Sequence, residues 1–358
     1  MKERKGATLK LENGAEFRGF CFGYDGPCDG EVVFSTAMVG YPESLTDPSY
    51  SGQILTVAYP LIGNYGVPQE GPDERGISRN FESERIWVRG LVISDYSFDY
   101  SHWDAVKSLD EWLKEQKIPG IFGIDTRAVT QLLRERGSML GMIVPDGVRK
   151  DFPVDDPNLA NQIAIVSCKE PIVYGDGTKT VVMVDCGVKH NILRCFMERG
   201  VRVVRVPWDF DFNTIEYDGL FISNGPGDPV HCAVTVEHIR KAMETGKPIC
   251  GICLGNQLLG IAAGATTYKL KYGHRSHNQP VRQAGTTSCY ITAQNHGYAI
   301  KEDSLPAEWE PYFINMNDGT NEGIRHKSKP FFSAQFHPEA SSGPEDTEFI
   351  FDDFISLL

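Results

Sequence analysis

The sequence predicts an α/β protein in two parts, with a mixed α/β N-terminal domain and a C-terminal domain built on a doubly wound, mostly parallel sheet. Its 358 residues exceed one typical domain and suit two. From residue 179 onward, short all-apolar strand patterns alternate with helical patterns, as is typical of a parallel sheet that is covered on both faces. We therefore expect an N-terminal domain at residues 1–144, a linker at 145–178 and a second domain at 179–358.

In the N-terminal domain, strand patterns are separated by clusters of Gly, Pro and Asp. Helical spacing of apolar residues predicts two helices, the second of which follows the capping residues Asp125 and Thr126 and ends before Gly137. The arrangement is mixed and does not repeat βα units. The expected strands cover residues 7–11, 31–35, 54–57 and 87–93, and the expected helices cover residues 103–117 and 127–136.

The remainder of the chain begins with a segment rich in Asp, Pro and Gly, for which we predict little regular structure. After residue 265 the pattern becomes more β-like, through residues 294–299 and 331–336. A sheet wound in this way carries its site at the carboxyl ends of its strands. The expected strands cover residues 181–185, 201–206, 220–223 and 249–251, and the expected helices cover residues 191–199 and 234–245.

One turn in this region has the pattern of a nucleophile elbow. Gly251, Cys253 and Gly255 form G-x-C-x-G between a short apolar strand and a helix, with sulfur in place of the usual oxygen. Glycines are needed because a neighbour with a Cβ would collide in so tight a turn. The N-terminus of the helix that follows favours a thiolate. Cys253 is thus a candidate nucleophile, although most cysteines are core residues.

A second motif supplies a candidate base and acid. An apolar strand ends at His337, and Glu339 follows two positions later, so that in an extended segment both side chains point the same way. Pro338 keeps the residue before it extended. Glu339 can therefore orient the imidazole as the acid of a catalytic triad does. The alternative is a solvated histidine with an unrelated acid nearby, and the presence of the elbow favours the catalytic interpretation.

Composition limits the possible partners and the compartment. With 48 acidic and 35 basic residues the net charge is −13, which argues against nucleic acid or an anionic membrane as the main partner. No apolar stretch approaches the ~20 residues of a membrane span, and the charged start does not resemble a secretion signal. Nine scattered cysteines form no disulfide framework, and the Cys250–Cys253 pair lacks further ligands for a metal. We expect a cytoplasmic protein without a metal site.

A third motif extends the pattern: residues 221–229 (FISNGPGDP) place a Gly-Pro-Gly turn after an apolar run. Together with the elbow and the F-H-P-E segment, it resembles the class I, triad-type glutamine amidotransferase family. Further blocks are similar to the small, glutamine-hydrolysing subunits of carbamoyl-phosphate synthetase, and this resemblance covers essentially the whole chain. The blocks are residues 30–34 (GEVVF), 40–50 (GYPESLTDPSY), 59–66 (YPLIGNYG), 123–127 (GIDTR) and 294–298 (QNHGY).

The resemblance implies a glutaminase in which Cys253, His337 and Glu339 form the catalytic triad and a γ-glutamyl thioester is the intermediate. In this family the Gly-Pro-Gly loop contributes to the oxyanion hole, which here implies the N–H of Leu254 and that of Gly225 or Gly227. One position departs from the family, because Asn256 stands where a histidine is usual, and an asparagine cannot carry charge. The glutamine pocket implied by the resemblance comprises Ser49, Gly225, Gly227, Leu254, Gln257, Asn295, Gly297 and Tyr298.

The resemblance also implies a heterodimer in which a large synthetase subunit accepts the ammonia and makes carbamoyl phosphate from ATP and bicarbonate, for pyrimidine and arginine biosynthesis. The chain itself has no G-x-x-x-x-G-K-[ST] loop, so we expect no cofactor in it and assign ATP and Mg to the nucleotide-binding large subunit. For Ser49, which the resemblance assigns to the glutamine pocket, the alternative is a purely structural role as a turn residue.

Three alternatives remain open at this point. They are an amidotransferase subunit of another synthase, such as those that make anthranilate or guanylate, a stand-alone γ-glutamyl cysteine hydrolase, and a scaffold without catalysis. The N-terminal blocks argue against the first. Full turnover without a partner would identify the second. The intact triad of Cys253, His337 and Glu339 argues against the third.

Overall fold

The computed structural model describes residues 4–358, and its internal contacts divide the chain into two compact units. One unit ends at Ala160, and the other comprises Asn161–Leu358. The division lies within the segment 145–178 that the sequence analysis treats as a linker. Each unit has its own sheets and its own apolar core.

The strands of the N-terminal unit, within the described residues, are β1 (Gly6–Leu11), β2 (Glu16–Gly23), β3 (Cys28–Ser35), β4 (Gln53–Val57), β5 (Leu61–Ile62), β6 (Val67–Pro68), β7 (Gly90–Val92), β8 (Asp95–Tyr96), β9 (Ala105–Lys107), β10 (Pro119–Phe122) and β11 (Met139–Pro145). Seven of them close into a barrel in the order β1-β11-β3-β4-β7-β10-β2. Closure is antiparallel on both sides of β1, where Leu9 lies opposite Phe17 and Ile143. The alternate apolar residues of these strands fill the interior, as in other small barrels.

The helices of this unit are α1 (Tyr41–Thr46), α2 (Leu109–Glu115) and α3 (Thr126–Arg136). The predicted α3 is present and begins at Asp125, whose side chain accepts a hydrogen bond from the Ala128 N–H. The helix predicted over residues 103–117 is wrong in its first half, because Ser108 and Glu111 form a capping box that starts α2 there. Trp103, which the prediction placed on the helix, is 90% exposed.

The C-terminal unit contains strands β12 (Ile172–Tyr174), β13 (Thr180–Asp185), β14 (Arg202–Pro207), β15 (Gly219–Ile222), β16 (Ile249–Ile252), β17 (Thr267–Gln283), β18 (Cys289–Ile300), β19 (Trp309–Asn315), β20 (Asn321–His326) and β21 (Phe331–Ala334). They form one sheet in the order β12-β14-β13-β15-β16-β21-β20-β19-β17-β18. The central strands β14, β13, β15, β16 and β21 are parallel neighbours, and the rest pair antiparallel.

Helices cover the parallel part of this sheet, which explains why its strands are apolar on both faces. Every residue of β15, β16 and β21 is buried. The doubly wound sheet predicted from the sequence is therefore confirmed, and its parallel part comprises five of the ten strands. The helices are α4 (Gln162–Val166), α5 (His190–Glu198), α6 (Ala233–Glu244), α7 (Leu254–Ala263) and α8 (Phe349–Ser356).

The segment 145–178 has more regular structure than the sequence predicts. It contains α4, which Asn161 caps through a hydrogen bond from the Ala164 N–H, and β12, which pairs with β14 at the edge of the sheet. Ile163 is fully buried and anchors α4 in the core of the C-terminal unit. A helix of five residues is too short to show periodicity in a sequence, which is why the pattern was not detected.

The longest helix among the described residues, α6, has 12 residues, and none of the helices formed by residues 4–358 has the length and apolarity of a membrane span.

Candidate active site

The turn from β16 to α7 holds Cys253 in a strained backbone conformation. Cys253 is the N-cap of α7, with φ 54° and ψ −104°, a combination that residues with a Cβ rarely adopt. The flanking glycines allow the close packing of this turn. A Cβ on Gly251 would lie 2.4 Å from the carbonyl oxygen of Gly255, and one on Gly255 would lie 2.1 Å from that of Ile222. The structure therefore has the strand-turn-helix geometry that the G-x-C-x-G pattern predicts.

The neighbours of β16 bring the other motifs to the same edge of the sheet. β15 and β21 run parallel to β16 on either side, with Ile222 opposite Gly251 and Ala334 opposite Ile252. The Gly-Pro-Gly loop therefore leaves the sheet on one side of Cys253, and the segment that contains His337 leaves it on the other. This edge is the carboxyl end of the parallel strands, where the sequence analysis expects the site.

His337 and Glu339 form a buried pair. His337 Nδ1 lies 2.7 Å from Glu339 Oε1, and the two residues are 2% and 1% exposed. The His337 N–H donates to the Ala293 carbonyl at 2.9 Å, which fixes the backbone of this segment against β18. Burial alone would lower the pKa of His337, but the charge of Glu339 and hydrogen bonds with Cys253 and Glu339 raise it to about 10. The imidazole is therefore charged at neutral pH.

Lys189 is a third charged residue of this site, which the sequence analysis did not single out. Its Nζ lies 3.0 Å from Glu339 Oε1, and its side chain is almost fully buried. It also donates to the carbonyl of Ala340 at 2.5 Å. Although burial raises the pKa of Glu339, the charges of Lys189 and His337 lower it to about 2. A lone lysine after a strand has no sequence pattern that distinguishes it, except its place after β13, at the carboxyl edge of the sheet.

The sulfur of Cys253 lies beside both an imidazolium and a carbonyl group. Cys253 contributes directly to the raised pKa of His337, so the imidazole and the thiol are neighbours. The thiol also donates to the Asn295 carbonyl, with Sγ 3.6 Å from the oxygen. Together the two contacts hold the sulfur between the imidazole ring and β18.

A second histidine near the triad has the opposite charge preference. Burial, together with the positive charges of Lys189 and His337, lowers the pKa of His277 to about 4. His277 is therefore neutral at the pH where His337 is an imidazolium, and His337 is the histidine that can donate a proton to a leaving group.

Two of the three residues predicted to form an oxyanion hole, Leu254 and Gly225, are close together. Leu254 is the first residue of α7, and Gly225 packs so near it that a Cβ on Gly225 would lie 2.9 Å from Leu254 Cδ2. Gly227 lies two residues farther along the loop with φ 84°, next to the side chain of Gln162. Backbone N–H groups in such an arrangement can stabilise a developing oxyanion without reorganising.

Two of the predicted pocket residues are connected by a direct hydrogen bond. Gln257 Nε2, on α7, donates to the carbonyl of Tyr298 on β18 at 2.9 Å. Asn295 lies on the same strand next to Cys253, and Gly297 lies between Asn295 and Tyr298. The structure thus brings α7 and β18 together around the elbow.

Ser49 belongs to the N-terminal unit, where it lies in a buried 3-10 turn at Pro48–Tyr50. The side chain of Asp47 accepts a hydrogen bond from the Ser49 N–H at 2.9 Å, so the turn role considered for this residue is visible in the structure. Its part in glutamine binding stays a prediction.

Asn256, at the position where the family usually has histidine, is fully buried, and both its amide oxygen and its amide nitrogen form hydrogen bonds. Its Oδ1 accepts from Ser333 Oγ at 2.8 Å, and its Nδ2 donates to Gln335 Oε1 at 2.9 Å. Gln335 Oε1 also accepts from Gln257 Nε2 at 3.2 Å. Asn256 therefore connects α7 to β21 and to the pocket residue Gln257, and it does so without charge.

One group of side chains among residues 4–358 has the spacing of potential metal ligands. His274, His296 and Glu322 each offer one ligand atom within 4.8 Å of the other two, and all three residues are buried. They lie on three different strands, so no spacing in the sequence could reveal them. In the structure, His274 Nδ1 and Glu322 Oε1 are already hydrogen-bonded to each other at 3.2 Å.

Comparisons with known proteins give a consistent result for both units. Residues 9–143 match the family described as carbamoyl-phosphate synthase small chain, CPSase domain, and residues 182–357 match glutamine amidotransferase class-I. An arginine-specific carbamoyl phosphate synthase small chain of Aspergillus fumigatus is 49% identical over 98% of this chain and 80% of its own length.

Longer relatives are similarly close. The multifunctional protein CAD of Squalus acanthias is 52% identical, and the mitochondrial carbamoyl-phosphate synthase [ammonia] of Homo sapiens is 50% identical, each over 98% of this chain. The chain spans only 16% and 24% of the length of these two proteins.

Proposed function

The chain belongs to the family of carbamoyl-phosphate synthase small chains, and from this premise we propose that it hydrolyses glutamine and delivers the ammonia to a large synthetase subunit. The observation that carries the proposal is the buried contact of His337 with both Glu339 and Cys253 at the N-terminus of α7. Charge, burial and position together give the sulfur the surroundings of a nucleophile.

In the proposed mechanism, the Cys253 thiolate attacks the side-chain carbonyl of glutamine. The resulting oxyanion accepts hydrogen bonds from the N–H of Leu254 and from Gly225 or Gly227. His337 donates its proton to the leaving nitrogen, the C–N bond breaks, and a γ-glutamyl thioester and ammonia form. Glu339 holds the imidazole, and Lys189 holds Glu339.

The second half of the cycle regenerates the thiolate. His337 accepts a proton from a water molecule, which attacks the thioester carbonyl and releases glutamate. The sum is one glutamine and one water converted to glutamate and ammonia. Neutral ammonia is the useful product, since ammonium is not a nucleophile, and we propose that it passes directly to the partner. The partner would bind the ATP and Mg and make carbamoyl phosphate, and the hydrolysis itself requires no cofactor.

The state of the cysteines bears on the cellular location of the protein. All nine cysteines are free thiols in the structure. Free thiols persist in reducing surroundings, and we propose a cytoplasmic location.

The test is glutamine hydrolysis by the purified chain and its Cys253→Ser variant, with and without a large carbamoyl-phosphate synthase subunit, ATP and bicarbonate. We expect slow hydrolysis alone, faster hydrolysis and carbamoyl phosphate with the partner, and no activity in the variant. Full hydrolysis that ignores the partner would instead identify a stand-alone hydrolase. Inactivity of the wild type under every condition would contradict the proposal, and activity restored by Asn256→His would trace the loss to that position.

A further inference from the structure

A buried cluster of charged side chains lies among the strands next to the predicted glutamine pocket. It consists of His274 on β17, His296 on β18, Glu322 on β20 and Asp318 in the turn before β20. The first three are buried, and the two imidazole rings meet edge to face with centroids 4.9 Å apart. Burying a carboxylate costs free energy unless it is paired, so the cluster needs a compensating role or compensating contacts.

The contacts of His274 define its charge. Its Nδ1 lies 3.2 Å from Glu322 Oε1, and its Nε2 lies 2.9 Å from Asp318 Oδ2. Ionised carboxylate oxygens only accept hydrogen bonds, so both ring nitrogens carry protons and the ring is an imidazolium. Glu322 Oε1 accepts a further bond from Asn315 Nδ2 at 3.0 Å. Glu322 is therefore the centre of a charge-assisted network.

The network reaches the pocket through His296. His296 Nδ1 lies 2.9 Å from the carbonyl oxygen of Tyr298, an acceptor, so this nitrogen carries a proton. On the other side of the ring, Nε2 lies 3.3 Å from Gln294 Oε1 and 3.7 Å from Glu322 Oε1, and the second distance is longer than a hydrogen bond. The same Tyr298 carbonyl accepts the hydrogen bond from Gln257. A continuous set of contacts thus runs from Glu322 through His296 and Tyr298 to Gln257.

A second route runs through the main chain of Glu322. Its carbonyl accepts from the Gln335 N–H at 2.8 Å, and Gln335 Oε1 accepts from Asn256 and Gln257 on α7. The residue that precedes His296 is Asn295, whose carbonyl lies beside the Cys253 sulfur. Both routes therefore end at residues that the proposed mechanism uses or that flank the nucleophile.

We propose that Glu322 is a positioning residue for glutamine binding, which holds His274 and His296 and, through them, the segment of β18 from Asn295 to Tyr298. The inference rests on the proposed glutaminase function and names a residue that acts on the pocket without touching the substrate. Loss of its charge removes a partner of His274, whose ring packs edge to face against His296, so that the Tyr298 carbonyl and Gln257 lose their fixed orientation. The triad keeps its own contacts, because none of the hydrogen bonds of His337 and Glu339 involves this cluster.

The test compares Glu322→Gln with the wild type in complex with a large synthetase subunit. The amide keeps the shape of the side chain and removes its charge. We expect the KM for glutamine to rise at least tenfold, with kcat within threefold of the wild type. The matched control is Glu310→Gln on the neighbouring strand β19, where the carboxylate pairs with Arg325 Nε at 2.7 Å near the surface. Its KM should stay within twofold.

A second variant tests the same network without a substitution at a buried residue. Asp318→Asn takes away the other carboxylate of His274 at a half-exposed side chain and should raise the KM about threefold. An unchanged KM in both variants, or a fall in kcat without a change in KM, would overturn the proposal. If the wild-type complex fails to hydrolyse glutamine, the proposed function itself fails. If the wild type is active and both variants have its KM, only the present inference fails.

Two readouts do not depend on turnover. Nitrogen-15 spectra of the histidines should show His274 with both ring nitrogens protonated at pH 8 in the wild type and not in Glu322→Gln. Elemental analysis of the purified chain should find no stoichiometric metal. A bound divalent ion that is lost in Glu322→Gln would assign His274, His296 and Glu322 to a metal centre and overturn the proposal.

Discussion

The backbone of Cys253 combines a reactive side chain with an unfavourable conformation. At φ 54° and ψ −104° a Cβ is strained, and such strain costs about 1–3 kcal/mol per residue. The turn is held from both sides, because the Cys253 N–H donates to the Ala334 carbonyl at 2.8 Å and α7 begins at the next residue. The strained turn places the buried sulfur at the end of the sheet, and glycine could adopt this backbone conformation but lacks the side chain of the proposed nucleophile.

Comparison of two substitutions at Cys253 measures this strain. Both Cys253→Gly and Cys253→Ala remove the sulfur, but only glycine removes the Cβ. At an ordinary position glycine is about 0.5–1 kcal/mol less stable than alanine, whereas here we expect Cys253→Gly to be more stable by about 1 kcal/mol. Urea denaturation gives the two free energies of unfolding. An alanine variant more stable than the glycine variant by the ordinary amount of about 0.5–1 kcal/mol would contradict the presence of strain.

The raised pKa of His337 predicts how stability depends on pH. In the unfolded chain a histidine has a pKa of about 6.5, and in the folded chain that of His337 is about 10. The folded state therefore holds this proton more tightly, and the stabilisation is complete below pH 6.5 and disappears as the pH rises toward 10.

We expect the free energy of unfolding of the wild type to exceed that of His337→Asn most at pH 6–7, with the difference shrinking steadily up to pH 10. Parallel denaturation series on the two proteins measure it. A difference that is independent of pH would argue against a charged His337 in the folded state.

For individual residues, the sequence predicts those members of the candidate site that belong to a local motif. The spacing around Cys253 and the pair of His337 and Glu339 are visible in a single sequence, because strand and turn geometry fix which side chains share a direction. Lys189 and Glu322 are not visible, because each meets its partners only through the pairing of distant strands. Their identification required the fold.

Among the elements, the segment after β13 and the segment after β21 meet through the ion pair of Lys189 with Glu339. Both side chains are almost fully buried, so the pair connects two loops at the carboxyl edge of the sheet in a region without solvent. Removing one partner of a buried pair leaves an uncompensated charge, which typically costs about 3–5 kcal/mol.

Lys189→Met should lower the free energy of unfolding by up to about 3 kcal/mol and reduce the proposed glutaminase activity, because Glu339 loses one of its two positive partners and keeps only His337. The matched control is Lys179→Met, where the lysine lies 3.8 Å from Asp218 at the exposed start of β13. That change should cost less than about 0.5 kcal/mol. Denaturation and glutaminase assays on both variants provide the check, and equal losses would show that burial of the pair is unimportant.

The elements themselves were predictable to different degrees. The apolar runs of β13, β15, β16 and β21 identify buried parallel strands, and the caps of α3 identify a helix. β2, β10 and β11 were not predicted. In β2 inward and outward residues alternate only partly, and β10 begins with Pro and Gly, which usually mark a turn. Barrel closure stabilises these segments through tertiary pairing, which local propensity does not report.

For the whole molecule, the last part of the N-terminal unit, between β11 and the boundary at Ala160, contains an exposed segment without regular structure. Residues 149–156 have no helix or strand, and the side chain of Arg149 is 93% exposed. Exposed chain without regular structure is the preferred substrate of proteases.

Limited digestion with trypsin should therefore cut first after Arg149 or Lys150 and release two fragments that resist further cleavage. Mass spectrometry of the fragments identifies the site. The double variant Arg149→Gln with Lys150→Gln should be cut much more slowly there. First cleavage within β1–β11 or β13–β21 would contradict the assignment of two separately packed units.

The strand order has a consequence for how the site comes into being during translation. β21 lies beside β16 in the sheet, although it follows much later in the chain, and His337 and Glu339 come 84 and 86 positions after Cys253. A ribosome therefore delivers the thiol well before the histidine and the carboxylate of the proposed triad. Until β21 has been made and inserted next to β16, the nascent chain contains the proposed nucleophile without its proposed proton donor. Order of synthesis alone would thus delay the proposed glutaminase activity until most of the C-terminal unit exists.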